Sequence, residues 1–260
     1  MKHRKVTPEK PDYGVDAPAV LRNLFIFGAL CVVCGFALPR ELHLGDVTFR
    51  LKSMFFWTGG CLLVEGCLYL VYVKVGKFKH RDYMLSLHTW KGDEQVLDVG
   101  CGRGLLLGGA AKRLIAGGTG KATGLDKWSN VDMGGNSPEA TLLNLEIEGV
   151  SDRCVVKSGT AQSMVFPNNS FDVVVSNLCL HNIKHRAARE EALAEIARVL
   201  RPGGVALLSD FRFTREYAKR LRAMGLEVER RRNWREWMVT FPPLTVVVAR
   251  KEGTTTDKHG

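Results

Sequence analysis

The sequence is short of acidic residues, with 27 Asp and Glu against 37 Lys and Arg, which gives a formal net charge of +10. An excess of this size fits nucleic acid, an anionic membrane surface or plain solubility. The basic residues form no single stripe with interleaved aromatic residues, and such a stripe is the usual mark of a nucleic-acid-binding protein. We therefore expect no nucleic-acid partner.

Metal-binding patterns are also lacking. Cys31 and Cys34 have C-x-x-C spacing, but residues 29–35 are wholly apolar and carry no histidine or acidic neighbour. Cysteine behaves there as a small apolar residue, so no metal site is predicted. The seven cysteines sit in apolar runs or are scattered, which indicates a reduced, cytosol-facing domain. With 45% hydrophobic residues the chain has enough apolar surface for a core, which excludes global disorder.

Two hydrophobic segments, at about residues 20–38 and 54–75, precede everything else. A helix of about 20 apolar residues spans a bilayer, and the short polar stretch 39–53 lets the two form an antiparallel hairpin. The outer ends carry the basic residues Lys2, Arg4, Lys5, Lys10, Arg22, Lys74, Lys77, Lys79 and Arg81. The positive-inside tendency then places both chain ends in the cytosol.

Other interpretations of this region stay open. The first segment could be a cleaved signal peptide, or the two segments could be buried helices of a soluble protein. Glu65 is costly in hydrocarbon and would be functional there, unless it is a protonated carboxyl that faces the partner helix. We expect an N-terminal basic segment and membrane hairpin over 1–79, a catalytic domain over 80–251, and a disordered tail over 252–260.

The catalytic region alternates between two kinds of pattern. Apolar, β-branched runs predict strands at Gln95–Val99, Ala122–Leu125, Cys154–Val156, Phe171–Ser176, Val205–Ser209, Leu226–Glu229 and Thr245–Ala249. Helical patterns fall at Leu105–Ala116, Pro138–Glu148, Arg186–Leu200 and Arg215–Met224. This alternation predicts an α/β fold with a Rossmann-like, seven-stranded, mostly parallel sheet and helices on both faces. Ligands bind such sheets beyond the carboxyl ends of the strands.

A glycine turn follows the first of these strands. It reads G-x-G-x-G through Gly100, Gly102 and Gly104, whereas a dinucleotide loop reads G-x-G-x-x-G. Asp98 at the strand end repels phosphate and suits an ammonium or sulfonium charge, which favours S-adenosylmethionine over a nicotinamide or flavin. Asp126 closes the next strand, where an acidic group accepts hydrogen bonds from ribose hydroxyls. Trp128 either covers the adenine or belongs to the core.

These features resemble the class I S-adenosylmethionine-dependent methyltransferase superfamily, closest in style to quinone-biosynthesis and other small-molecule methyltransferases. The resemblance covers about residues 93–251. It is carried by Leu97–Gly104, Gly124–Asp126, Phe166–Val174 and Arg198–Gly204. By this resemblance, the methionine moiety would contact Asp98, Gly100, Cys101, Gly102 and Gly104. The ribose side would bind to Asp126 and Lys127, and the adenine would contact Thr160 and Ala161. Asn177 and Leu178 would lie near the transferred methyl group.

His181 is the best candidate for a general base, because it follows the fourth strand and histidine changes charge near neutral pH. The alternative is a histidine that only orders its loop. The leading hypothesis is a membrane-anchored methyltransferase for a small, lipophilic acceptor. A lipid-headgroup N-methyltransferase and a non-catalytic S-adenosylmethionine-binding membrane scaffold are the alternatives. A nucleic-acid methyltransferase is disfavoured, since residues 176–179 read Ser-Asn-Leu-Cys instead of Asn-Pro-Pro-Tyr.

A basic group near the end of the chain has two interpretations. It comprises Lys219, Arg220, Arg222, Arg230, Arg231, Arg232 and Arg235, with Trp234 and Trp237 close by. The group is either a solvated face or a surface that rests on anionic lipid headgroups.

Overall fold

The computed structural model describes residues 10–129, 134–232 and 243–253. Its helices are α1 (Pro18–Ala37), α2 (Leu51–Val71), α3 (Lys77–Ser86), α4 (Leu105–Ala111), α5 (Pro138–Ile147), α6 (Arg186–Val199) and α7 (Thr214–Ala223). Its strands are β1 (Leu42–Leu44), β2 (Val47–Phe49), β3 (Gln95–Val99), β4 (Lys121–Asp126), β5 (Cys154–Ser158), β6 (Phe171–Asn177), β7 (Leu200–Asp210), β8 (Glu227–Arg231) and β9 (Thr245–Arg250).

A seven-stranded sheet in the order β5-β4-β3-β6-β7-β9-β8 forms the centre of the catalytic region. Only β9 runs antiparallel to its neighbours, β7 and β8. Successive side chains point to opposite faces of a strand, so Val96 packs with Leu107 of α4 while Leu97 packs with Leu193 of α6. The predicted mostly parallel sheet with helices on both faces is confirmed.

Several element boundaries differ from the predictions. The helix predicted to reach residue 116 ends at Ala111, shortly before the glycines of the 117–120 turn. The second apolar helix starts at Leu51 and continues through a π-helical turn, Tyr72–Gly76, directly into α3. The strand predicted over 205–209 is extended to Leu200–Asp210. The loop between the apolar helices also forms a small β-hairpin of β1 and β2, with Gly45 at a φ of 61° in its two-residue turn.

The two apolar helices pack through glycines. Gly28 and Gly35 of α1, and Gly59 and Gly66 of α2, recur every seven residues, which keeps each pair on one face of its helix. A Cβ added to Gly59 would lie 2.8 Å from the carbonyl oxygen of Gly28, and one added to Gly66 would lie 3.0 Å from the Phe25 ring. Small residues at such contacts let helix backbones approach closely, as in membrane bundles.

The outer faces of this helical hairpin are apolar and exposed. Both helices are long and apolar enough to cross a bilayer, and only 11% and 17% of their most apolar windows are buried. The exposed large side chains on them include Val20, Ile26, Phe27, Leu30, Val33, Phe36, Met54, Trp57, Val64 and Leu68. Patches of this extent on a soluble protein mark an interaction surface. A pair of helices buried in a soluble core does not fit this exposure.

The N-terminal segment 12–17 ties the hairpin to the catalytic region. Arg103 donates to the carbonyl oxygen of Asp12 at 2.7 Å, and Lys77 donates to that of Gly14 at 2.6 Å. Tyr69 of α2 donates to the carbonyl oxygen of Asp16 at 2.5 Å. The contact of Arg103 with Asp12 crosses the predicted boundary between residues 79 and 80, and the division into an anchor and a catalytic domain stays a prediction.

Some predictions fall outside the described residues. These concern Lys2, Arg4, Lys5, Trp234, Arg235, Trp237 and residues 254–260 of the predicted tail.

Gly59→Leu should destabilise the protein, because its side chain would meet the Gly28 carbonyl across the helix contact. Overpacking of this kind costs about 1–3 kcal/mol. The neighbouring Gly60 has nothing within 4 Å of an added Cβ, so Gly60→Leu carries the same gain in helix propensity without the clash. Thermal unfolding of the full chain in detergent micelles should give a lower Tm for Gly59→Leu than for Gly60→Leu. Equal Tm values would contradict the packing described.

Candidate functional site

A cavity of about 940 Å³ opens at the carboxyl ends of β3, β4 and β6. Its walls include every predicted site residue except Gly104: Asp98, Gly100, Cys101, Gly102, Asp126, Lys127, Thr160, Ala161, Asn177, Leu178 and His181. The carboxyl ends of parallel strands meet at one edge of the sheet, which explains why residues far apart in sequence converge here.

The glycine turn forms the floor of this cavity. Gly100 has a φ of 77°, and the backbone N–H groups of Gly100 and Cys101 donate to the carbonyl oxygen of Leu125 at 2.7 and 3.2 Å. A Cβ at Gly100 would lie 2.2 Å from Cys179 Sγ, so the loops after β3 and β6 touch only because this residue is glycine. Gly104 lies behind the turn at the start of α4, where a Cβ would meet Thr141 at 3.0 Å.

Two buried carboxyl groups stand at the ends of adjacent strands. Asp126 accepts hydrogen bonds from the N–H groups of Gly102 at 2.8 Å and Trp128 at 2.7 Å, and from the Asn136 amide at 3.2 Å. Asp98 is 1% exposed. Burial, together with the negative charge of Asp126, raises the pKa of Asp98 to about 8. The pair therefore resists holding two negative charges without a cation nearby.

Four buried side-chain oxygens of residues that line this cavity lack hydrogen-bond partners among residues 10–129, 134–232 and 243–253. They are Asp16 Oδ2, Asp98 Oδ2, Asn136 Oδ1 and Asn177 Oδ1. A buried acceptor left unpaired costs about 1–3 kcal/mol, and such groups call for a ligand or another explanation. A molecule rich in N–H and O–H donors, with positive charge near Asp98, would satisfy them.

The far end of the cavity contains Thr160 and Ala161, beyond β5. Trp128 does not line the cavity. Its indole donates to Ser158 Oγ at 2.8 Å, and its ring packs against the core cluster around Leu107. Of the two interpretations of Trp128, the structure favours the core role.

Asp210 holds His181 in place. The Asp210 carboxylate is 1% exposed and accepts from the His181 backbone N–H at 3.1 Å and from the Tyr217 hydroxyl at 3.2 Å. His181 Nδ1 lies 2.9 Å from Asp210 Oδ1, and the imidazole also lines the cavity. Nδ1 makes no hydrogen bond within the described residues, so Asp210 positions His181 through the backbone N–H and through this close contact.

Nucleophilic and metal chemistry find no support at this site. Burial raises the pKa of the Cys179 thiol to about 12, and burial likewise raises that of Cys101. A thiol of this kind stays protonated and is a poor nucleophile. Within the described part of the chain, no three His, Cys, Asp or Glu side chains are placed to hold a metal ion.

Comparison with known proteins agrees with this geometry. Residues 97–208 match the family model described as a methyltransferase domain. This stretch of the chain is therefore similar to a methyltransferase domain. S-Adenosylmethionine is the cofactor that this domain and fold imply, as the sequence predicted.

Relatives whose activities are named match about half of this chain. Sterol 24-C-methyltransferase ERG6B of Gibberella zeae is 33% identical over 127 residues, which is 49% of this chain and 30% of that protein. Demethylmenaquinone methyltransferase of Symbiobacterium thermophilum is 32% identical over 125 residues, or 48% of this chain and 45% of that protein. The chain thus spans less than half the length of either.

Solved structures show the fold alone, since their sequence identity is low. A SAM-dependent methyltransferase from Aquifex aeolicus aligns with a TM-score of 0.51 and 18% identity, over 65% of this chain and 88% of that one. The [4+2]-cyclase SpnF aligns with a TM-score of 0.55 and 16% identity, over 93% of this chain and all of the cyclase. A fold shared with a cyclase does not by itself establish methyl transfer.

The residues of the methyltransferase domain fit its implied cofactor. The glycine turn leaves room for close approach, the ammonium and sulfonium charges suit buried Asp98, and ribose hydroxyls suit Asp126 and Asn136. The roles of the individual residues remain proposals, because their contacts with the cofactor are inferred from the cavity and from the resemblance.

The sequence alone missed several residues of this site. Asp16, Tyr72 and Arg81 line the cavity although they precede the glycine turn, and Asn136 lines it from the segment before α5. Asp210 supports His181 from the end of β7. Among these missed residues, only Asp210 had a signal in the sequence that could have indicated a site residue, because it is a polar residue at the carboxyl end of an apolar strand. His88, Tyr83 and Trp90, which also precede the glycine turn in sequence, do not line the cavity.

Cofactor affinity should depend on pH through Asp98. Its pKa is about 8 without a ligand, and a bound cation favours the ionised form, so binding releases a proton below about pH 8. Affinity for S-adenosylmethionine should rise, by up to about tenfold per pH unit, between about pH 5.5 and 7, where the cofactor's own α-amino group stays protonated.

Calorimetry in buffers of different ionisation enthalpy measures both the affinity and the released proton. Asp98→Asn should bind more weakly and without this pH dependence. A wild-type affinity that is flat over this range, with no proton released, would remove Asp98 from the cofactor site.

Proposed function

We propose that this protein is a membrane-anchored, S-adenosylmethionine-dependent methyltransferase that acts on a small, lipophilic acceptor. The observation that carries the proposal is the single cavity in which Asp98, Asp126 and the unpartnered acceptors of Asn136 and Asn177 meet beneath the glycine turn. The match of residues 97–208 to a methyltransferase domain supports the same activity.

The hairpin supports membrane anchoring. Its outer faces expose large apolar side chains, and water would oppose that exposure. The end nearest the catalytic region carries Lys74, Lys77, Lys79 and Arg81, whereas the loop at the other end carries Arg40, Arg50 and Lys52 together with Glu41 and Asp46. This asymmetry favours a catalytic domain in the cytosol. Relatives named for a sterol and for demethylmenaquinone favour an apolar acceptor.

Methyl transfer needs alignment and exclusion of water more than it needs catalytic groups. S-Adenosylmethionine, when bound, supplies a methyl group already activated by its positive sulfur. Asn177 and Leu178 follow β6 at the cavity wall and would bound the path of the acceptor. His181, held by Asp210, would take the proton that a hydroxyl acceptor loses as it attacks the methyl group.

A lipid-headgroup N-methyltransferase is the second candidate. An amine acceptor calls for acidic and aromatic groups around it. The structure places such groups, Asp16, Glu65, Tyr69 and Tyr72, on the cavity wall. The non-catalytic scaffold has no observation of its own in its favour.

Incubating the full chain in vesicles with methyl-labelled S-adenosylmethionine and a total membrane lipid extract should produce a labelled, lipid-extractable product. Asp126→Ala should lose both cofactor binding and labelling, because the ribose would lose its acceptor and Gly102 its partner. Label confined to protein or nucleic acid would overturn the proposed acceptor class.

The same assay examines His181. Asp210→Asn should keep cofactor affinity but lower the transfer rate to a hydroxyl acceptor by about 10²–10⁴-fold, as loss of general-base catalysis does. An unchanged rate with such an acceptor would assign His181 to loop ordering only.

A further inference from the structure

The cavity at the cofactor loop extends along the hairpin. On the N-terminal side of α1 it is lined by Ala17, Val20 and Leu24, and along α2 and the π-helical turn it is lined by Glu65, Tyr69 and Tyr72. Both sets follow the spacing of residues on one helix face over two turns. At about 1.5 Å per residue, each wall is about 10 Å long.

The catalytic region lines the rest of this part of the cavity. Its apolar residues there are Ile183, Ala188, Phe211 and Leu244, and its polar residues are His181, Asn182, Lys184 and His185. Val20 lines the cavity and is 52% exposed, so the cavity is open beside the first turn of α1. Ligand pockets measure about 300–1,000 Å³, and the 940 Å³ here lies at the upper end, which leaves space beside a ligand that needs only the lower end of that range.

Glu65 faces this cavity. This position favours a functional acidic group over a protonated carboxyl that faces the partner helix. Gly66, the next residue, makes the contact with Phe25 of the partner helix, while Glu65 lines the cavity beside Tyr69. Within residues 10–129, 134–232 and 243–253, no hydrogen bond or ion pair involves the Glu65 side chain. An acidic group at membrane depth is costly and marks a functional site. Its chemistry calls for a hydrogen-bond donor.

We propose that the cavity is a lateral passage from the bilayer to the cofactor, and that Glu65 binds a hydroxyl or amine donor of an elongated, amphiphilic acceptor lying between the hairpin and the Ile183–Ala188 wall. The inference rests on the proposed function and adds the route and the recognition group. We assign Glu65 a role in specificity and not in the reaction, because it lies on α2 and not on the loops that follow β3, β4 and β6.

Photo-crosslinking in vesicles tests this inference without turnover. The full chain is reconstituted in phosphatidylcholine and phosphatidylglycerol and exposed to a 4-alkylphenol with a diazirine in its chain, to its methyl ether, or to the matching alkylamine. Labelled peptides are mapped by mass spectrometry. The phenol or the amine should label the 17–24, 65–72 and 183–188 peptides about tenfold more than the ether, as expected for a hydrogen bond to a charged group.

Variants separate a passage from simple lipid contact. Leu24→Trp fills the passage and should abolish labelling of the 183–188 peptide. Leu30→Trp, on the same helix but with an exposed side chain outside the cavity, should not. Glu65→Leu should remove the preference over the ether, whereas Glu65→Gln should restore it for the phenol but not for the amine.

The outcomes distinguish the inference from the proposed function. Equal labelling by donor probes and ether, or labelling of residues 183–188 that Leu24→Trp leaves intact, would overturn the inference even if methyl transfer to lipid is found. The expected labelling pattern without any methyl transfer would support the passage and contradict the methyltransferase proposal. Preference for the amine alone points to a lipid headgroup, and preference for the phenol alone points to a hydroxyl acceptor.

Discussion

Two carboxyl groups buried at the ends of adjacent parallel strands set the chemistry of this protein. The register pairs Asp98 with Gly124, two residues before Asp126, so the glycine turn after β3 passes directly over the end of β4. Asp126 stabilises the turn through the Gly102 N–H. Asp98 remains buried with one oxygen unpartnered among the described residues. A site built this way opposes phosphate and favours a cation, whatever the acceptor.

The hairpin and the catalytic domain depend on each other through the segment 12–17. Arg103, on the glycine loop, holds Asp12, while Tyr69 and Lys77 hold the same segment from the hairpin side. The segment thus fixes the hairpin against the mouth of the cofactor site. This arrangement places Tyr72 and Glu65 on the wall of the cavity that the catalytic region also lines.

The sequence predicted the sheet, the cofactor edge and the apolar helices because each leaves a local signal. Asp98 and Asp126 end apolar strands, and the glycines between them have fixed spacing. Contacts between residues that are far apart in sequence leave no such signal. His181 lies beside Asp210 because β6 pairs with β7. Asp16 lies at the site because the segment 12–17 contacts residues that are far from it in sequence. The sequence marked Glu65 as unusual because it is an acidic residue within an apolar helix. Only the orientation of α2, which the contacts of Gly59 and Gly66 fix, shows that Glu65 faces the cavity.

Competition for the cofactor site tests the central claim most directly. Equilibrium dialysis of the full chain in detergent micelles with labelled S-adenosylmethionine should show saturable binding that unlabelled S-adenosylmethionine and S-adenosylhomocysteine displace. NAD and FAD should fail to displace it even in large excess, because their pyrophosphate would add negative charge beside the buried Asp98–Asp126 pair, which already resists holding two negative charges. Displacement by NAD or FAD at concentrations similar to those of S-adenosylmethionine would contradict a site shaped for a sulfonium nucleoside.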